Sequence, residues 1–242
     1  MKMVFIAAGK GSRLSFVTNG IPKTLIKVFD RPLIDILLEN CSSVGIQDIV
    51  IVTGYGQDYI TDHFRDVTGD FTVEFVYNAD WKLPNGLSVL AAQQSIPRGE
   101  DFMVSMSDHF YSSDLLAGVI DSSLESRTVN VGIDYSLERI HDMNDAMKVK
   151  VRSGEDLITS MSKELTDYNA VDCGVFKCRY DFFSILASAR EKGNYSLSEA
   201  CEILISKNNL GGVNIGDSFW IDIDTPEALE YCRLNGQMLR PV

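Results

Sequence analysis

The chain has 242 residues, 45% apolar and 23% charged, a balance that excludes a disordered chain and fits one large domain or two small ones. Its 22 Lys and Arg stand against 34 Asp and Glu, a net charge of −12, which argues against broad electrostatic capture of nucleic acid or of an anionic membrane. The longest apolar stretches, Met3–Ala8 and Asp48–Val52, are far short of the ~20 residues of a membrane span, and the N-terminus runs into a glycine-rich turn without the cleavage region of a signal peptide.

In chain order, Met3–Ala8 reads as a buried strand. A helix follows over about 32–44, with Ile34, Leu37, Leu38 and Cys41 on one face. Asp48–Thr53 is a second strand, Gln57–Val67 a helix, Thr72–Tyr77 a third strand, Gly86–Ile96 a helix, and Phe102–Met106 a strand ending in Ser107-Asp108. Strands apolar on both faces, alternating with helices, predict an α/β fold: a Rossmann-like mixed, mostly parallel sheet with helices on both faces.

The pattern then changes. Strands are expected at Thr128–Tyr135, Met147–Val151, Leu157–Met161, Val171–Lys177, Gly212–Ile215 and Phe219–Ile223. Helices are expected near Tyr180–Glu191 and Leu197–Ser206, and a last one opens with Thr225 as cap and Pro226 at the first helical position. These elements are read as additions to the same sheet. Five cysteines (41, 173, 178, 201 and 232) are odd in number, scattered and free of any Cys-x-x-Cys, which reads as reduced thiols packed as small hydrophobes in a cytoplasmic protein. The histidines at 63, 109 and 141 have no metal-ligand spacing.

The run Ala7-Ala8-Gly9-Lys10-Gly11-Ser12-Arg13 directly follows the first strand, and Pro22-Lys23 comes soon after. Its glycines let backbone approach a ligand closely, and free N–H groups can cradle phosphate oxygens. Lys10, Arg13, Lys23 and Lys27 concentrate positive charge in an acidic protein, as triphosphate chemistry requires. The run lacks the third glycine of a dinucleotide fingerprint, and there is no P-loop. At the acidic end, Asp108 closes a strand, while Asp222 and Asp224 lie two apart and would share one side of a strand. Carboxylates gathered at strand ends suit a hard divalent cation, typically Mg²⁺. A turn residue at Asp108 and a helix cap at Asp224 are the structural alternatives.

The Ala7–Arg13 run followed by Pro22-Lys23 resembles the signature of the nucleotidyltransferases that join an NTP to a sugar phosphate or alcohol phosphate. The resemblance implies the nucleotide-diphospho-sugar transferase fold, in one domain with a nucleotide-binding half over about 1–110 and an acceptor-binding half over about 111–242. By the same resemblance, backbone at Ala7, Ala8 and Gly9 would hold the base, and Lys10, Gly11, Ser12 and Arg13 the β- and γ-phosphates. Lys23 would stabilise charge on the α-phosphorus, making Arg13 and Lys23 the catalytic pair. Asp108 and Asp224 would hold Mg²⁺, with Asp222 as neighbour.

Further segments, including Asn85-Gly86-Leu87-Ser88, Ser107-Asp108-His109-Phe110-Tyr111, Ala146-Met147-Lys148, Val171-Asp172-Cys173-Gly174 and Ser196-Leu197-Ser198-Glu199, resemble the inositol-1-phosphate cytidylyltransferases over nearly the whole chain. This implies CTP and inositol 1-phosphate as substrates and CDP-inositol and pyrophosphate as products. Asn85, Gly86 and Ser88 would line the cytidine pocket. Lys148 would grip the acceptor phosphate, with Asp172 and Glu199 on acceptor hydroxyls and His109 as a substrate contact or structural residue. Lys148, Asp172 and Glu199 read equally as a solvated strand charge, a turn residue and a helix-start Glu.

The gap between Arg13 and Pro22 resembles that of phosphocholine or sugar-phosphate relatives, so phosphocholine or a small phosphonate such as 2-hydroxyethylphosphonate is an alternative acceptor. A sugar-1-phosphate guanylyl-, uridylyl- or thymidylyltransferase is another alternative. A non-catalytic nucleotide-binding regulatory domain is a third, whose expected loss of Arg13, Lys23 or Asp108 is not seen. Oligomeric state is open, a homodimer among the options.

Overall fold

The computed structural model describes residues 1–14, 20–65, 67 and 69–236, with only the backbone at Ser12. Strand β1 (Lys2–Ala7) leads to a short ribbon, β2 (Lys27–Val28) and β3 (Arg31–Pro32). Then come α1 (Leu33–Ser43), β4 (Asp48–Thr53), α2 (Gln57–His63), β5 (Thr72–Tyr77), α3 (Gly86–Ala91) and β6 (Phe102–Met106). The second half contains β7 (His109–Tyr111), α4 (Ser113–Asp121), β8 (Val129–Asp134), β9 (Lys148–Val151), β10 (Ile158–Ser162) and β11 (Ala170–Cys178). It ends with α5 (Phe182–Glu191), α6 (Leu197–Ser206), β12 (Leu210–Asn214), β13 (Trp220–Asp222) and α7 (Pro226–Asn235).

A nine-stranded sheet runs through both halves in the order β10-β9-β11-β6-β1-β4-β5, with β8 beside β11 and β12 beside β8. Strands β6, β1, β4 and β5 are mutually parallel, while β11 runs antiparallel to β6, β8 and β9. Alternate side chains leave a strand on opposite faces, so β1 feeds two cores. Met3 and Phe5 pack with Leu33 and Leu37 of α1, Leu115 and Val119 of α4 and Leu229 of α7. Val4 packs on the other face with Val89 of α3, Phe182 of α5 and Leu204 of α6. A one-residue slip would exchange the two sets, so burial on both faces fixes the register.

The expected strands and most helices form close to where the sequence placed them. Three local differences matter. The helix expected over Gly86–Ile96 ends at Ala91 and tightens into a 3₁₀ turn over Ala92–Ser95. The helix expected over Gln57–Val67 ends at His63, whose ring meets Phe64 edge-on and whose Nε2 lies 2.7 Å from Asp35. Four elements were not anticipated: the β2–β3 ribbon, α4 and, last, β7. The latter is three residues long and owes its form to antiparallel pairing with β13, which sets Asp222 opposite His109. The final helix is capped as its sequence suggests: Thr225 Oγ1 accepts from the Ala228 N–H at 3.1 Å, and Pro226 takes the first position.

Candidate active site

Leu14 is fully buried and anchors the short 3₁₀ turn Ser12–Leu14, which leaves Arg13 projecting from the loop after β1. Gly11 adopts a positive φ of 59°, and a Cβ there would overlap the aliphatic stem of Lys23. The glycine-rich run and the Pro-Lys pair are therefore two sides of one packed unit. Lys23 opens a second 3₁₀ turn, pinned by buried Thr24.

The carboxylates meet these cations from three directions. Asp108 lies in the tight turn between β6 and β7, with Oδ2 at 3.3 Å from Lys23 Nζ and Oδ1 at 3.0 Å from His109 Nδ1. Asp224, just past β13, pairs with both Lys23 and Arg13. Asp145, on the segment before β9, accepts from Arg13 Nη1 at 2.7 Å and from Lys163 Nζ at 2.6 Å. Oxygens of Asp145, Asp222 and Asp224 lie within 4.8 Å of one another, and so do ligand atoms of Asp108, His109 and Asp222. Asp222 is common to both groups, so it stands at the centre of the acidic cluster and not at its edge as expected. Its Oδ1 is buried without a hydrogen-bond partner and lies 3.8 Å from His109 Nδ1.

Electrostatics separates the roles of these groups. Burial alone would raise the Asp108 carboxyl, but the hydrogen bond and charge of His109, then Lys23, hold it well below the usual carboxylate range. Burial opposes a charged His109, yet Asp222, Asp108 and Asp172 outweigh it and push the ring up to about 9. The His109 ring is stacked on Trp220 with ring centres 5.9 Å apart. Burial, reinforced by the charge of Asp108, raises Asp222. Asp172 is pushed up to about 6 by burial, opposed by the Gly174 N–H that donates to its Oδ1 at 2.7 Å.

His109, Asp172 and Asp222 border a cavity of about 310 Å³ whose wall also includes Met106, Asp134, Lys163 and Trp220; Arg13, Lys23 and Asp108 are not on that wall. Gly174 in that wall has a positive φ of 75°, and a Cβ there would overlap the His109 ring. The fold of β11 beside β7 thus depends on a residue with no side chain at this point. Asp134 is buried at the end of β8 and accepts from Trp220 Nε1 at 3.0 Å, which fixes the ring that backs His109.

Residues 2–235 match the nucleotidyl transferase family. The chain belongs to that family. It is 30% identical over 233 residues to the bifunctional IPC transferase and DIPP synthase of Aquifex aeolicus, with 94% of this chain and 50% of that protein covered. It is 26% identical over 229 residues to the bifunctional protein GlmU of Methanococcus aeolicus, with 93% and 52% covered. The chain spans about half the length of these curated relatives. Its structure is similar to that of the inositol-1-phosphate CTP transferase from T. maritima, with a TM-score of 0.83 at 22% identity over 94% of this chain and 90% of that one. It is also similar to UDP-glucose pyrophosphorylase complexed with UDP-glucose, with a TM-score of 0.80 at 19% identity over 99% of each. The fold is that of the nucleotide-diphospho-sugar transferases.

In this nucleotidyl transferase several residues singled out from sequence stand elsewhere than expected. Lys148 is not on the cavity wall among the described residues; its Nζ donates to the Lys163 carbonyl at 2.6 Å, and Lys163 is the lysine on the wall. Glu199 completes a capping box at the start of α6, accepting from the Ser196 N–H at 2.8 Å while Ser196 Oγ accepts from its N–H at 3.1 Å. Its neighbour Ser198 faces the cavity instead. Lys27 is exposed on β2, with its carbonyl accepting from Arg233, and among the described residues it takes no part in the ion-pair cluster.

The residues expected around the base are divided. Ala7 and Ala8 are buried at the end of β1, and Gly9 has open space around its Cα. Lys10 is exposed and leans over Tyr55, and the side chain of Ser12 lies outside the described residues. Asn85 borders the cavity but uses its Oδ1 to accept from the Leu197 N–H at 3.0 Å. Gly86 is pressed against the Tyr195 and Ser196 backbone, and buried Ser88 accepts from Asn78 Nδ2 at 3.0 Å, so both join α3 to its surroundings. Asp145, Lys163 and Asp134 carried no sequence signal: they sit on loops and strand ends with no fixed spacing to the motif. All five cysteines are buried free thiols. No helix among the described residues is long and apolar enough to cross a membrane.

Proposed function

We propose that the protein is a cytidylyltransferase that transfers CMP from CTP to the phosphate of inositol 1-phosphate, giving CDP-inositol and pyrophosphate. The observation that carries this reading is the convergence of Arg13 and Lys23 on Asp224, which with Asp222 lines a cavity large enough for a small acceptor. The acceptor and base come from the names of the relatives, an IPC transferase and an inositol-1-phosphate CTP transferase. Residues 1–110 carry the nucleotide in this reading, and 111–242 the acceptor.

An acceptor phosphate oxygen attacks the α-phosphorus in line. The new P–O bond forms as the bond to the β-phosphate oxygen breaks, and pyrophosphate leaves with the electron pair. An oriented phosphate dianion needs no protein base. Lys23 meets charge developing on the α-phosphate, and Arg13 holds the departing phosphates. Lys163, in place of Lys148, grips the acceptor phosphate, while Asp172 accepts from an acceptor hydroxyl. The carboxylates fit a divalent cation: Asp222 lies within ligand distance of Asp145 and Asp224 on one side and of Asp108 and His109 on the other, and its Oδ1 is buried without a hydrogen-bond partner. Mg²⁺ held there supplies positive charge to phosphate oxygens.

The test is pyrophosphate release with each NTP against inositol 1-phosphate, phosphocholine, glucose 1-phosphate and 2-hydroxyethylphosphonate, with and without Mg²⁺. CTP with inositol 1-phosphate is expected to be fastest and Mg²⁺-dependent. A higher kcat/KM with another acceptor reassigns the cavity, and no product from CTP with any of them overturns the cytidylyl reading.

A further inference from the structure

The loop bearing Lys10 and the segment bearing Lys23 are separate in sequence, and Tyr55, two residues past β4, touches both. Its backbone N–H donates to the Ala8 carbonyl at 3.0 Å. Its ring lies beneath the Lys10 ammonium, Nζ being 5.7 Å from the ring centre. Its hydroxyl donates to the Gly20 carbonyl at 3.1 Å. Gly20 opens the run Gly20-Ile21-Pro22-Lys23, and Pro22 lies against Gly56, where a Cβ would come within 2.7 Å of the proline ring. Trp81 backs the tyrosine, with ring centres 5.7 Å apart.

Each contact uses a different part of Tyr55. Packing against Trp81 needs only a ring, which Phe would supply. Among the described residues, the hydroxyl bonds only the segment that leads into Lys23. The π-face also carries Lys10, a flexible exposed side chain that would otherwise sample many rotamers. We propose that Tyr55 is a positioning residue for nucleotidyl transfer, setting through its hydroxyl and its ring the placement of Lys23 and Lys10 against the triphosphate. The inference rests on the nucleotidyl-transfer reading above.

Two variants separate the parts. Y55F removes the hydroxyl bond alone, and kcat should fall about fivefold, the worth of one neutral hydrogen bond. Its KM for CTP should stay within about twofold, because the Lys10 contact survives. Y55L removes both contacts, so the same loss in kcat should be joined by an about threefold rise in KM for CTP and in the Kd for inorganic tripolyphosphate. Melting temperatures are measured alongside. A packing role alone would leave Y55F like wild type, and Y55F at wild-type kcat overturns the proposal. So does a pair of variants whose kcat and KM change together in step with melting temperature. Where Y55L does not fold, Y55F decides alone, a loss of kcat at unchanged melting temperature being required. If wild type releases no pyrophosphate from any NTP, the functional reading fails separately. Tyr55 is then judged by tripolyphosphate, with Y55L binding as tightly as wild type counting against it.

Discussion

Replacing Asp172 by Asn should stabilise the protein at neutral pH and have no effect near pH 4. The carboxyl is pushed from 3.8 up to about 6 by burial, with only the Gly174 N–H and the more distant His109 charge favouring its ionised form. That displacement corresponds to on the order of 3 kcal/mol at about 1.36 kcal/mol per pKa unit. Water reaching the half-buried side chain through the cavity lowers the effective figure to about 1–2 kcal/mol. The folded protein keeps this proton to higher pH than the unfolded chain does. Its contribution to stability is therefore complete below about pH 4, declines as pH rises towards 6, and is absent above. Asn keeps an oxygen for the Gly174 N–H and has no proton to lose. The gap in melting temperature between D172N and wild type should be near zero at pH 4 and about 2–8 °C in favour of D172N at pH 7.5, at about 2–4 °C per kcal/mol for a chain of this size. Calorimetry of both proteins across pH 4–8 measures it, and taking the difference removes groups common to the two. A gap that is constant with pH, or D172N melting lower at pH 7.5, would refute the assignment of Asp172 as a carboxylate ionised against its surroundings.

Two further outcomes test the placement of residues that the sequence left ambiguous. Glu199→Ala removes half of a capping box and should cost about 1 kcal/mol of stability with kcat unchanged, as chemical denaturation and pyrophosphate release would show; a large loss of turnover would place Glu199 in the site. Lys163→Met should raise the KM for the acceptor by about tenfold or more, the worth of a hydrogen bond to a charged group, and leave the KM for CTP unchanged. Lys148→Met should do much less, and equal effects of the two variants would restore the role to Lys148.

Much of the fold was legible because its cause is local. The apolar runs of β1, β4 and β6 and the helical spacing of α1 each declare a buried element from a few adjacent residues. Thr225-Pro226 marks the start of α7 in the same way, since a cap needs only its own next turn. Strand β7 has no such signature. Three residues become a strand only because β13, more than a hundred residues later, lies antiparallel beside them. The choice between Lys148 and Lys163 was hidden for a similar reason. Lys148 pairs with Ser162 across the β9–β10 hairpin, placing the two lysines close together, and only the position of the sheet relative to the cavity decides which faces it.

By itself, then, the sequence determined that an acidic chain of net charge −12 concentrates cations in one loop after its first strand, and that this loop belongs with strands alternating with helices. That Gly11 leaves room for the Lys23 stem, where a Cβ would overlap it, came from the structure. The tertiary structure decided which carboxylates those cations meet. Arg13 reaches Asp145 and Asp224 across separations of 132 and 211 residues, and no local spacing encodes contacts of that range. They exist because a single sheet, buried on both faces, brings the end of β1 to the β7–β13 ribbon. There Lys23 and Asp224, costly to bury singly, are largely buried as partners, while Arg13 stays exposed.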